Sequence, residues 1–400
     1  MPSKKELFFT HLGQTSPQPM AIEIESAEGV YMYGPNGKTY MDLVSGVSVS
    51  NLGHHHKEIT QAIKEQVDKY MHLMVYGEII QTPQLKFAQL LTQQLPKSLN
   101  SVYLVNSGSE AIEGAMKLAK RLTGRSEIIS CKNAYHGGTH GALSIMGSEK
   151  FKTAFRPLLP DTRLIEYNNK ADLQHITKRT ACVFIEPIQG EGGIISPKDD
   201  YLKAVRQRCN ETGALLVFDE IQTGFGRSGE LFAFMKYNVV PDIMCIAKAM
   251  GGGLPLGGFV SSHEKMKSLT FDPVLGHITT FGGHPVSSAA AYAHLKYLVD
   301  NPQLYKTADK KAQLFEANLK NHPLVKEIRY DGFYMAVSLN DSDAIENFLA
   351  LAAEKGIISD LFLFDHGAFR ISPPLIMTVE EIEKASALLL ECLDILNNKQ

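Results

Sequence analysis

The sequence predicts an α/β protein: a large domain with a mostly parallel sheet flanked by helices, and a smaller α+β domain. Three observations lead there. Short apolar runs at 181–185, 214–218 and 243–247 have the length and character of strands buried on both faces. Between the first two lies a helical pattern over 200–211, with Tyr201, Leu202, Val205 and Cys209 on one face; strand, helix and strand in that order make a crossover unit and a parallel pair. Beyond 290 the pattern changes, with helices near 303–319, 344–354 and 379–397 alternating with strands near 328, 334–339, 357–358 and 369–371. A chain of 400 residues also exceeds one ordinary domain of about 150. We expect a large domain over 51–290 and a small one from 1–50 together with 291–400.

Residues 1–50 carry turn signals and little helix. Two extended stretches, 29–33 and 39–42, flank Gly34-Pro35-Asn36-Gly37 and read as a hairpin. His54, His55 and His56 are adjacent, so their side chains diverge in any regular structure and no metal site is expected. Helical patterns follow from Lys57 through Ile59, Ile63, Val67 and Tyr70, and over 81–94.

Next comes a strand at 103–105, a turn of small residues and a helix with Ala111, Ile112, Ala115, Met116, Ala119 and Leu122 on one side. Ser107 and Glu110 stand at capping-box spacing, and the free N–H groups of Gly108 and Ser109 at the helix start suit a phosphate. An ordinary capped helix has the same signature. A strand at 128–130 leads to Tyr135-His136-Gly137-Gly138, where an aromatic ring can stack on a flat cofactor and glycines allow close approach. The strand at 181–185 ends in Glu186, that at 214–218 in Asp219-Glu220, and that at 243–247 in Lys248.

Ligands of open α/β sheets sit beyond the carboxyl ends of the strands, so Asp219 and Lys248 face one crevice. A desolvated lysine loses its proton readily and attacks carbonyls. Pyridoxal chemistry needs such a lysine together with an acid for the pyridine nitrogen; an ion pair closing two strand ends would look alike. Phe259-Val260 adds an edge strand, and Thr279 or Thr280 can offer a hydroxyl before the helix that starts near 286. Thr378 and Glu381 repeat the capping-box spacing. Arg370 lies in an apolar strand and needs a partner, a ligand or a solvated tip.

The formal net charge of −3 offers no general attraction to nucleic acid or anionic membranes. Five scattered cysteines in apolar runs read as buried, reduced thiols. No long apolar run and no apolar leader are present, so a cytoplasmic protein with small-molecule partners is expected. No G-x-G-x-x-G follows an early strand, which argues against a nicotinamide dehydrogenase.

Taken together, Asn106-Ser107-Gly108-Ser109-Glu110-Ala111, Tyr135-His136-Gly137, Glu186-Pro187-Ile188-Gln189-Gly190-Glu191-Gly192-Gly193, Asp219-Glu220-Ile221-Gln222-Thr223-Gly224-Phe225-Gly226-Arg227, Lys248 and Thr280-Phe281-Gly282-Gly283 resemble the class III pyridoxal-phosphate aminotransferases over nearly the whole chain. The resemblance is greatest to the acetylornithine and ornithine members. It implies fold type I, pyridoxal 5'-phosphate as cofactor, and a homodimer with active sites at the interface. By the same resemblance Lys248 and Asp219 are catalytic, Lys248 carrying the cofactor and shuttling the proton, Asp219 pairing with the ring nitrogen. Gln222 lies near the ring hydroxyl, Tyr135 stacks on the ring, and Ser107, Gly108 and Ser109 form the phosphate turn. His136 and Glu186 belong to the cofactor pocket, while Thr280 reaches the neighbouring subunit's active site. Glu191 and Arg370 resemble a gate in which the glutamate masks the arginine until a 2-oxo acid carboxylate, with 2-oxoglutarate favoured, takes it.

One departure bears on the amino donor. Gly138 stands where those members usually carry an arginine, which removes a second carboxylate anchor and argues against ornithine and acetylornithine themselves. Ser109 and His284 replace a usual threonine and asparagine. The expected activity is transfer of an amino group from an amino acid or ω-amine to a 2-oxo acid by a ping-pong route. A related aminomutase or decarboxylase is the alternative, and a non-catalytic regulator that binds the same cofactor a more distant one.

Overall fold

The structure, a computed structural model, describes residues 2–75 and 77–398. Its strands follow the apolar runs closely. In chain order they are β1 (Ser26–Glu28), β2 (Tyr31–Tyr33), β3 (Thr39–Asp42), β4 (Ser101–Val105), β5 (Glu127–Cys131), β6 (Thr162–Ile165) and β7 (Thr180–Ile185). Then come β8 (Leu215–Asp219), β9 (Ile243–Ile246), β10 (Gly257–Ser261), β11 (Val325–Tyr330), β12 (Met335–Leu339), β13 (Ile357–Ile358) and β14 (Ala368–Ile371). They form a seven-stranded sheet in the order β4-β10-β9-β8-β7-β5-β6, a four-stranded sheet β1-β2-β3-β13, and a three-stranded sheet β11-β12-β14.

Within the large sheet β9, β8, β7, β5 and β6 are mutually parallel. Alternate residues feed opposite faces, as a two-residue period requires. Val183 and Ile185 of β7, Leu216 and Phe218 of β8, and Met244 and Ile246 of β9 join one core cluster with Tyr201, Leu202, Val205 and Cys209 of the crossover helix Tyr201–Thr212. Phe184, Val217, Ile243 and Cys245 point the other way, toward Ala111, Ile112, Ala115 and Ala119 of the helix Gly108–Thr123. Helices thus cover both faces.

Four local expectations need correction. Phe259 and Val260 lie in β10, which is not an edge but sits between β4 and β9, antiparallel to both. A position between strands is set by which elements pack beside it, and periodicity carries no such information. Ser107 does cap its helix by accepting the Glu110 N–H, yet the Glu110 carboxylate takes the Asn106 N–H and side-chain amide instead of closing the box. The helix over 303–319 is two, Gln303–Lys306 and Ala308–Leu319, separated at Thr307. Arg370 is buried, 1% exposed, which rules out a solvated tip. Strands β1 and β6 and the N-terminal helix Lys4–His11 are additions to the elements the sequence predicts; the helix buries none of its residues and so has no apolar stripe to read.

The hairpin of β2 and β3 is present, and β13 pairs parallel with β3, which ties the N-terminal segment to the C-terminal part. The Thr378 box closes on both sides. All five cysteines are free and buried. No helix among the described residues is long and apolar enough to cross a membrane.

Arg227 joins these parts. It is fully buried and donates from Nη1 to the carbonyls of Phe333 (2.8 Å) and Pro373 (2.7 Å), and from Nη2 to Asn51 Oδ1 (2.7 Å) and Ser45 Oγ (3.2 Å). Its hydrogen-bond acceptors come from three distant stretches, and they are neutral, so each is left bare if the guanidinium goes. Arg227→Met is expected to cost about 3 kcal/mol or more, read as a lower urea midpoint at fixed cofactor loading. A loss under about 1 kcal/mol would contradict this account.

Candidate active site

The parallel register brings Asp219 level with Cys245 at the ends of β8 and β9, and Lys248 starts a short turn of helix three residues later. Both side chains enter one cavity of about 340 Å³ at the carboxyl edge of the sheet. That volume lies in the range of small-ligand sites. Asp219 projects into it while Glu220 points away: Glu220 is wholly buried, accepts the N–H groups of Ala233 (3.0 Å) and Phe234 (2.7 Å), and burial pushes its carboxyl up to about 7. Asp219 ends β8 and Glu220 follows it; successive side chains of an extended stretch face opposite sides, and only Asp219 lines the cavity.

Asp219 is held at both oxygens. Oδ1 accepts the Ile221 N–H at 3.0 Å, and Oδ2 lies 2.7 Å from His136 Nδ1. The other ring nitrogen of His136, Nε2, is buried without a hydrogen-bond partner among the described residues. Lys248 has φ +49°, a left-handed backbone that costs a lysine about 1 kcal/mol or more and clusters at functional sites. Although the cavity leaves Lys248 some exposure, protein surrounds it. Burial pulls its amine down to about 8, against the opposing pull of Glu191, so the share of neutral amine near neutral pH is far above that of a free lysine at about 10.4.

The start of the helix Gly108–Thr123 forms another wall, with Ser107, Gly108 and Ser109 lining the cavity. Two glycines allow this turn to be enclosed tightly. A Cβ on Gly257 of β10 would lie 2.3 Å from the Ser107 carbonyl oxygen, and one on Gly137, at φ +131°, 2.1 Å from Ser109 Oγ. The Gly138 N–H donates to that same Ser109 Oγ at 3.2 Å. Tyr135, His136 and Glu186 complete the lining. Glu186 accepts N–H groups from Tyr135 and Gly190, both at 3.3 Å. Burial, then Asp219, pushes its carboxyl well above the carboxylate range.

Gln222 links the cavity to a buried charge cluster. Its Nε2 donates to Glu191 Oε1 at 3.0 Å, and its Oε1 accepts from Tyr334 Oη at 2.6 Å and Arg370 Nη1 at 3.3 Å. Arg370 Nη2 donates to both Glu191 oxygens at 2.9 Å, and its Nε lies 2.9 Å from Asp360 Oδ1. Burial works against the Glu191 charge, but Arg370 and the Gln222 amide outweigh it and leave the carboxyl below its usual value.

Of the residues singled out by sequence, nine line the one cavity and Glu191 and Arg370 adjoin it through Gln222. Thr280 does not line it; it is exposed, whereas Thr279 accepts a hydrogen bond from Asn106 at 2.8 Å. Tyr334 and Asp360 went unnoticed in the sequence. No local pattern marks either, because their roles come from packing against Gln222 and Arg370.

The site fits pyridoxal 5'-phosphate: a neutralisable lysine, a fixed carboxylate and a helix start share the walls of a cavity of suitable size. A family model described as aminotransferase class-III matches residues 13–393. The acetylornithine aminotransferase of Clostridium acetobutylicum is 39% identical, with 91% of this chain and 94% of that protein covered. The LysW-aminoadipate semialdehyde/glutamate semialdehyde transaminase of Sulfolobus acidocaldarius is 35% identical, covering 94% of this chain and 96% of the other. Among solved structures, the ornithine aminotransferase of Toxoplasma gondii superposes with a TM-score of 0.90 at 29% identity, over 99% of this chain and 95% of that one.

Proposed function

Because the chain belongs to the class III aminotransferases, we propose that Lys248 and Asp219 are its catalytic residues and that Arg370 receives the carboxylate of its 2-oxo acid, with 2-oxoglutarate the favoured acceptor. The observation that carries this reading is the Glu191–Arg370 clasp, joined by Gln222 to the cavity that holds Lys248. Pyridoxal 5'-phosphate, the family's cofactor, supplies the electron sink for exchanging an amino group with a carbonyl.

The chain's own groups do the rest. Lys248 holds the cofactor through Nζ and, when released, carries the proton at Nζ, for which a lowered affinity is needed. Asp219, braced by His136 and the Ile221 N–H, keeps a negative charge on the cavity floor for the ring nitrogen. Ser107, Gly108 and Ser109 would hold the phosphate at the helix start, Tyr135 and His136 would hold the ring, and Glu186 and Gln222 complete the pocket. With Glu191 on Arg370 the guanidinium is masked, which suits an amine donor; with Glu191 withdrawn, a guanidinium edge is open to a carboxylate.

We also assign a homodimer in which Thr280 reaches the neighbouring active site. Supporting this, Ile79, Ile80 and Leu85 line an apolar groove together with Thr279, and the exposed Phe281 packs on His72; such patches mark association surfaces. The division into a large domain, 51–290, and a small one, 1–50 with 291–400, accords with the pairing of β3 and β13. Five free thiols suit the cytoplasm.

The test is a half-reaction screen: the loaded protein is mixed with α-amino acids, ω-amino acids and amines, and its cofactor absorbance is followed. Loss of the resting band, reversed by 2-oxoglutarate, supports the reading; isomerised or decarboxylated product without 2-oxo acid consumption defeats it. Arg370→Gln is expected to raise KM for 2-oxoglutarate by about a hundredfold, while the amine half-reaction changes far less. Equal effects on both halves would remove Arg370 from acceptor binding.

A further inference from the structure

Gln222 lines the cavity and also touches both members of the clasp. Its orientation there is forced. An ionised carboxylate only accepts hydrogen bonds and a guanidinium only donates them, so the amide must turn Nε2 to Glu191 Oε1 and Oε1 to Arg370 Nη1. At 3.3 Å the bond from Arg370 is long, and by itself it holds the carbonyl loosely. Tyr334 supplies the firmer hold. Its hydroxyl stands 2.6 Å from Gln222 Oε1, and because that oxygen can only accept, the hydroxyl is the donor.

Packing places that hydroxyl independently of Glu191. Tyr334 is fully buried, in one cluster with Ile188, Ile194, Ala336 and Phe362. Gly190 leaves the room for its oxygen, since a Cβ there would stand 2.1 Å from Tyr334 Oη. When Glu191 leaves Arg370, Gln222 loses the partner of its Nε2, but Tyr334 still pins the carbonyl and the amide stays aimed for Glu191 to return. Without the hydroxyl, the open clasp would gain the freedom of a loose glutamine, whereas the closed clasp would still hold the amide between Glu191 and Arg370. The hydroxyl therefore favours the closed form, because closing no longer has to order one more side chain.

We propose that Tyr334 is a positioning residue which, through Gln222, sets how often Arg370 is open to the carboxylate of the 2-oxo acid. This rests on the reading of Arg370 as the anchor of that carboxylate and adds the group that governs its availability. A ligand that needs the open form binds with an affinity reduced by the fraction of protein that is open, so the effect of Tyr334 is measurable in binding alone.

The experiment titrates glutarate, a dicarboxylate with no keto group to react, into the cofactor-loaded protein by calorimetry. Wild type, Tyr334→Phe, Arg370→Gln and the double variant are compared. Phenylalanine keeps the ring and its packing and removes only the hydroxyl. Tyr334→Phe should bind glutarate about fivefold more tightly than wild type, and the gain should vanish when Arg370 is also replaced. Damage to the site would weaken binding, so a gain in affinity separates positioning from a merely structural role. Unchanged or weaker binding by Tyr334→Phe, or a gain that persists without Arg370, overturns the proposal; if Arg370→Gln alone still weakens binding, the acceptor reading stands. Glutarate binding that is indifferent to Arg370→Gln, or absent from every variant and wild type, overturns both.

Discussion

Lys248→Ala is expected to reduce turnover by about ten-thousand-fold, the upper range for a positioned proton carrier, while the protein keeps its fold and can still hold cofactor without a covalent bond. Steady-state assays against wild type, with circular dichroism as the folding control, decide this; more than a hundredth of the activity remaining would refute the role. The same residue carries a pH prediction. Burial brings its amine to about 8, and only the neutral amine attacks a carbonyl. The rate at which the cofactor-free protein takes up pyridoxal 5'-phosphate should therefore rise with pH from 6.5 and level off above about 8. A rate still climbing steeply above pH 9, as for a lysine near its ordinary value of about 10.4, would show that the cavity does not lower the amine's proton affinity.

Asp219→Asn should cost about a thousandfold in kcat. Asparagine fills the same space and can still accept the Ile221 N–H through its carbonyl oxygen, so the loss reports charge and not shape. It removes the negative charge that His136 and Ile221 now brace. A decrease below about tenfold would contradict the electron-sink argument. His136 is the control for placement, since its ring nitrogen at 2.7 Å orients the carboxylate; His136→Ala should produce a smaller loss than Asp219→Asn in the same assay.

Much of the fold was readable because burial and period coincide. The runs ending at Asp219 and Lys248 were legible as strands since β7, β8 and β9 are covered on both faces and so contain few polar residues. The strand-turn-helix at Ser107 was legible because helix starts have a specific chemistry, and the crossover helix because its apolar stripe is regular. Ser107, Tyr135, Asp219 and Lys248, each at the end of one of these legible elements, line the same cavity.

By itself the sequence determined the strands and most helices, the carboxyl-edge location of the site, and the residue types that meet there. Only the tertiary structure decided that β10 is inserted between β4 and β9, that Asp219 and not Glu220 enters the cavity, and that Arg370 is buried between Glu191 and Asp360. The reason is range. Periodicity and capping are local, acting within a few residues. Strand order and charge pairing join groups such as Glu191 and Arg370, 179 residues apart, whose proximity depends on how whole elements pack.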